Sequence, residues 1–245
     1  MIEVKAHQLA IDTRLILGLQ STEHVDVYRA VSSLGIACVK RPLESGMSGA
    51  TLKTSRVKLI LVNSSKTLGH QNFTIAHEMY HCLHDENLVS KACKTEFPET
   101  QSENEKVADS YAAHLLMPED GIFLQLRLRG RVDAKLQLGD IVGLEQYFWV
   151  SRRAMCWRLK DLRLITREEC DKYSANVIQN VRSLGRDPAL YRPTRDTKVI
   201  SDYAERAREA LEKGLITDSR YEEILADAGL LEEIMQETEE ADFAD

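Results

Sequence analysis

His77-Glu78-Met79-Tyr80-His81 is the stretch that decides how the chain is read. On an α-helix, residues i and i+4 share a face, so both imidazoles can reach one point in space. Glu78 is turned roughly 100° from His77 and can reach a water at that point. Two imidazoles with a neighbouring carboxylate are the ligand pair and general base of a zinc-dependent peptidase. The surrounding pattern predicts a helix from about Asn72 to His84.

Catalytic zinc usually takes three protein ligands and keeps a fourth position open. His84 shares the face but sits about 10 Å along the axis from His77, too far for one ion. A metzincin-type third histidine would fall at Asn87, and position 84 lacks the glycine of that pattern. The next strong helical pattern runs from Glu103 to Leu116 and stops before Pro118. It places Glu105 and Asp109 on one face, with Ala108 and Ala112 leaving room for close helix packing. Glu105 would ligate the metal, and Asp109 would accept the outer N–H of a ligand histidine, as in gluzincin peptidases. Two alternatives stay open. Ser102-Glu103-Asn104-Glu105 also fits a capping box in which Glu105 returns to the Ser102 N–H. Glu103 is a rival ligand, although it lacks an aspartate at i+4. His7, His24, His70 and His114 read as structural, with His70 and His114 open to a substrate contact.

The composition, 43% hydrophobic and 29% charged over 245 residues, is that of an ordinary globular protein. No apolar run approaches the roughly 18 residues of a membrane span, and Met1 to Lys5 lead into an amphipathic stretch rather than a signal peptide. Cys38, Cys82, Cys93, Cys156 and Cys170 are odd in number and never in a C-x-x-C pair. They read as reduced thiols, so a cytoplasmic setting is expected, with no disulfide frame. Residues 222–245 hold ten acidic side chains and no Lys or Arg; without them the net charge of −7 becomes +3. That tail reads as a solvated, fraying helix, or else as a docking segment for a basic partner.

The expected fold is α+β and mainly helical. A zincin-like peptidase domain over 1–120 would carry a small antiparallel sheet, followed by a helix-turn-helix-like basic unit over 121–165 and a C-terminal helical region over 166–245. Residues 6–19 predict a helix with Leu9, Ile11, Leu15, Ile16 and Leu19 as its stripe, and Val25–Leu34 a second. Strands are expected at Ile36–Lys40, Ala50–Lys53 and Val57–Asn63, and a loop over 85–101. Residues 49–53 are a candidate partner for substrate by strand addition. Two short helices are expected within 139–160, and a final helical pair at 200–213 and 218–236 around Gly214.

The run Gln71 to His81, followed by Glu105 to Pro118, resembles the ImmA/IrrE metallopeptidase family. That family's pattern is roughly R-x-F-T-x-A-H-E-x-x-H, then E-x-x-A-[ND]-x-F-A-x-x-L-L-M-P. The likeness is close over about 25–120 and loose over 121–160; Gln71 replaces the usual Arg and Tyr111 the usual Phe. It implies His77, His81 and Glu105 as ligands of Zn²⁺ and Glu78 as catalytic base. It also implies a substrate class, helix-turn-helix repressors cut to relieve transcription in bacterial mobile elements or stress circuits.

A rival reading comes from residues 121–167, which hold ten Arg/Lys against four Asp/Glu, including Arg127, Arg129, Arg131, Arg152, Arg153 and Arg158. Leu138 to Ala154 reads as helix, turn, helix, packed by Ile141, Leu144, Phe148, Val150 and Ala154 and capped at Ser151. Such a unit can enter a major groove, so a DNA-binding regulator with a structural zinc is the alternative. Docking of the repressor substrate on the same unit is equally open.

Overall fold

The computed structural model describes residues 2–44, 46–55, 57–85, 90–94, 102–131 and 135–227. In chain order the elements are α1 (Ile2–Ile16), α2 (Val27–Ser33), β1 (Ala37–Arg41), β2 (Met47–Lys53), β3 (Lys58–Asn63), α3 (Leu68–His84), β4 (Ser90–Lys94) and α4 (Glu103–Leu116). Then follow α5 (Glu119–Leu128), α6 (Leu138–Phe148), α7 (Arg152–Asp161), α8 (Arg167–Tyr173), α9 (Val177–Ser183), β5 (Lys198–Ile200), α10 (Tyr203–Glu212) and α11 (Asp218–Asp227). The mainly helical α+β class stands. The acidic tail beyond residue 227 lies outside the described residues.

The sheet has the order β4-β2-β3-β1-β5 and is mixed rather than antiparallel. β1 runs parallel to β3, with Ala37 opposite Leu59, while the other pairs are antiparallel. The cause lies at Asn63, a buried residue at the end of β3. Its side chain accepts from Leu43 N at 3.0 Å and donates to Met47 O at 2.8 Å, fastening the connection that carries the chain across β3. β2 therefore returns on the far side of β3, closed by a turn with Thr54 N on Val57 O at 2.8 Å. Alternation of side chains fixes which face of a strand is buried, not which neighbour it pairs with. β2 is flanked by β3 and β4, so residues 49–53 offer no open edge for strand addition.

The expected stripe of α1 is also corrected. Ile11, Leu15 and Ile16 are exposed, and the buried face is Ala6, Ala10, Thr13 and Arg14. α1 lies along α4, whose buried face includes Ala108, Tyr111 and Ala112, and small residues on both helices allow close approach. Polar groups fix the contact: Tyr111 OH donates to Thr13 Oγ1 at 2.8 Å, and the buried Arg14 guanidinium donates to Leu115 O at 2.6 Å. Tyr111, at a position where phenylalanine is usual, thus has a partner for its hydroxyl.

α3 is the central helix, packed against β2 and β3 on one side and α4 on the other. It starts at Leu68, a turn earlier than the sequence pattern suggests, because Gln71 is fully buried and tied down. Its amide donates to Lys66 O at 2.7 Å and Thr194 Oγ1 at 3.2 Å, holding strand exit and C-terminal strap together. One apolar core runs from Ala6 through α3 and α4 to Cys170. The segment after α9 completes the sheet: β5 pairs with β1, and Lys40 meets Asp196 at 3.1 Å. α6 and α7 meet at a tight corner where Trp149 takes a left-handed conformation (φ 56°) and Ser151 Oγ accepts from Ala154 N. Ile141, Leu144, Phe148 and Val150 are buried there.

Candidate metal centre

The helical repeat of α3 brings His77 and His81 together, and α4 lays Glu105 against them. His77 Nε2 and His81 Nε2 are 3.3 Å apart. Glu105 Oε2 lies 3.2 Å from the first, and Glu105 Oε1 3.2 Å from the second. A tetrahedral ion held at about 2.0–2.1 Å needs donors separated by roughly 3.3 Å, so the set fits zinc in spacing and in chemistry. Among the described residues these three form the one cluster of potential ligand atoms within 4.8 Å of one another.

Each histidine is oriented from behind. His77 Nδ1 lies 2.8 Å from Asp109 Oδ1, which brings Asp109 to the place expected for it. His81 Nδ1 lies 3.2 Å from Asp85 Oδ2, at the start of the stretch whose sequence predicts a loop. Donation from Nδ1 to a carboxylate leaves the Nε2 lone pair for the metal and raises ligand basicity. Asp85 is held in turn: Asn104 Nδ2 donates to its Oδ2 at 2.5 Å, and Tyr80 OH donates to Asn104 Oδ1 at 2.7 Å. The same i+4 rule that found Asp109 relative to Glu105 would have found Asp85 relative to His81.

Ser102 does cap α4, with its Oγ accepting from Glu105 N at 3.3 Å. The Glu105 carboxylate turns to the histidines, so capping and the metal cluster use different atoms of one residue. Glu103 is exposed and stays outside the cluster. His84 also stays outside, packed against Tyr80 and Tyr111.

Glu78 is fully buried at the floor of a cleft of about 520 Å³. Thr51 Oγ1 on β2 donates to its Oε2 at 2.6 Å, while its Oε1 has no hydrogen-bond partner among the described residues. A buried carboxylate oxygen without a partner is costly unless something absent from the chain itself meets it. Gly49 makes the approach of β2 possible, because a Cβ there would stand 2.5 Å from Thr74 Cγ2 and 3.1 Å from Glu78 Oε1. Neither Thr51 nor Gly49 carries a sequence signal, since their aim depends on sheet pairing.

His70 and His114 both border this cleft. His70 Nε2 lies 2.9 Å from Ser48 Oγ, and burial, with Lys66 and Arg153 nearby, pushes its pKa down to about 4. His114 bridges Glu3 at 3.0 Å and Arg158 at 3.1 Å. The opposite wall is α7, which contributes Arg153, Ala154, Trp157 and Lys160. Arg152 is buried and paired with Glu145, and Arg158 is buried with its Nε on Met117 O at 3.0 Å. Arg129 bonds Gln125 on its own helix, and Arg131 meets Asp140 at 3.2 Å.

No helix among the described residues is long and apolar enough to cross a membrane. No curated protein matches the chain. A family model described as the IrrE N-terminal-like domain, Peptidase_M78, matches residues 31–160, just over half of the 245. The matched span holds the whole His77, Glu78, His81 and Glu105 constellation together with α7 as far as Lys160. The chain therefore belongs to the IrrE N-terminal-like family of metallopeptidases, the ImmA/IrrE group that its motifs resemble.

Proposed function

We propose that the protein is a zinc-dependent endopeptidase that cuts a helix-turn-helix repressor in the cytoplasm and so relieves transcription. The observation that carries the peptidase reading is the convergence of two imidazole nitrogens and one carboxylate beside a buried, half-partnered glutamate. Family membership supports the hydrolase class, and the repressor substrate follows from the resemblance. The free, buried thiols of Cys38, Cys82, Cys156 and Cys170 are in keeping with a reducing compartment.

Zinc, when bound by His77, His81 and Glu105, supplies Lewis acidity that activates a water and polarises a carbonyl. The chain's own residues do the rest. Thr51 holds Glu78 Oε2, which leaves Oε1 as the site that takes a proton and later returns it to the leaving amine. Asp109 and Asp85 keep the two rings in one tautomer through the cycle. Buried Arg152 ties α7 to Glu145 of α6, buried Arg158 ties it to Met117 O at the end of α4, and α7 turns its remaining polar face to the cleft. That disposition favours a peptide over duplex DNA at this helix.

Glu78→Gln is expected to bind zinc as the wild type does and to cut a co-encoded repressor at least 100-fold more slowly, the range for loss of a general base. Metal analysis and a cleavage time course on the purified proteins test this. Undiminished cleavage would sink the assignment.

A further inference from the structure

The carboxylates that line the cleft are almost all engaged. Asp109 lies on His77 and Glu105 on both histidines. Glu3 meets His114 at 3.0 Å, and Asp161 meets Lys160 at 3.3 Å. The cations are not all engaged. Arg153 on α7 and Lys106 on α4 are exposed, border the cleft, and their side chains make no ion pair or hydrogen bond among the described residues. The cleft thus presents two unmatched positive charges from two walls, close to a general base and a metal site.

Arg153, Trp157 and Lys160 stand at i, i+4 and i+7, on one face of α7, and that face is the cleft wall. Trp157 is 38% exposed, a large apolar ring left uncovered beside the site. Lys160 Nζ lies 4.1 Å from its centroid, which fixes the ring's outer side. A cleft that sets the unpaired Arg153 beside an open indole on α7, with the unpaired Lys106 on α4, fits a polypeptide segment carrying a carboxylate next to ordinary backbone.

We propose that Arg153 and Lys106 form a specificity subsite for an acidic side chain of the substrate polypeptide, with Trp157 as the platform for the residue beside it. The assignment rests on the peptidase reading. A side chain is preferred to a terminal carboxylate because Trp157, one turn past Arg153, offers surface on which the chain continues. Opposite charges across such a site set preference and register more than overall affinity.

The test uses zinc-loaded full-length enzyme and a peptide library amidated at the C-terminus, with cut sites read by mass spectrometry. Wild type is expected to enrich Asp or Glu about fivefold at one fixed position from the cut. Arg153→Glu should abolish that enrichment and move it toward Lys and Arg, with zinc content and melting temperature unchanged; Lys106→Glu should weaken it. Unaltered preference in both variants, or a preference seen only with free C-termini, overturns the subsite and leaves the peptidase standing. If wild type cuts nothing, the peptidase reading fails separately, and the subsite is then read by binding. Fluorescein-labelled peptides with Glu or Gln at matched positions would be compared on Glu78→Gln protein by anisotropy. A Glu preference lost in Arg153→Glu supports the proposal, and equal binding overturns it.

Discussion

Both candidate ligand histidines are fixed at the nitrogen that faces away from the cluster, His77 by Asp109 at 2.8 Å and His81 by Asp85 at 3.2 Å. The two supports differ in their own anchoring. Asp85 is tied to Asn104 and through it to Tyr80, whereas the Asp109 side chain is 41% exposed. Removing either carboxylate frees a ring to rotate and lowers its basicity. Asp109→Asn and Asp85→Asn are each expected to weaken zinc affinity 10- to 100-fold without unfolding the protein. Chelator competition on the purified variants measures it, and unchanged affinity in both would remove the aspartates from the site's design. The motif made the histidines and Glu78 visible at once. Asp109 followed from helical spacing, and Asp85 was open to the same rule but lay in a stretch read as loop. Thr51 was hidden, because a hydroxyl on a strand points at a helix only after the sheet has chosen its pairings.

Among the elements, α3 decides the site because it touches everything that matters: β2 through Glu78, α4 through its histidines, and the α6–α7 corner through its first turn. That last contact is backbone to backbone. A Cβ on Gly69 would sit 2.6 Å from Ser151 N and 2.7 Å from Val150 C, atoms that cannot rotate out of the way. Asn72 reinforces the junction by donating to Trp149 O at 2.8 Å. Gly69→Ala is therefore expected to push α7 away from α3 and to cost about 1–3 kcal/mol, in the range of overpacked interiors. Because α7 is the far wall of the cleft, KM should rise as well. Chemical denaturation with steady-state kinetics checks both, and a variant of wild-type stability would show that the corner can slide. The periodicity of α3, α4, α6 and α7 was legible in the sequence. The buried face of α1 was not, since Ala6 and Ala10 carry little hydrophobic signal while exposed Ile16 and Leu15 carry much.

For the molecule as a whole, His70, one of five histidines outside the candidate metal site, has the clearest consequence. His70 is held neutral by burial and by Lys66 and Arg153, with a folded pKa of about 4 against 6.5 for the free side chain. Between those values the unfolded chain binds a proton that the native protein refuses. Stability therefore falls as pH drops from about 6.5 toward 4, by up to about 3 kcal/mol for this group, less where solvent reaches the ring. Above pH 6.5 the group costs nothing. Denaturant unfolding of wild type and His70→Gln across pH 4–7 should give curves that converge in this window from the neutral side, the wild type losing more. Parallel curves would contradict the assignment.

The sequence by itself determined the chemistry: which residues could hold a metal, which could serve as base, and that they lie on two helices of fixed period. Helical spacing is local, and a motif of five residues carries its own geometry. Only the tertiary structure decided the rest. It set β1 parallel to β3 through the Asn63 crossover, brought β5 from the far end of the chain to β1, and turned α7 toward the cleft rather than into solvent. These choices are made by which surfaces meet, and strand partners or helix faces compete over long separations that no local pattern records. The pentapeptide at 77–81 set two candidate metal ligands and a carboxylate on one helix; the packing around it set the walls of the cleft they border.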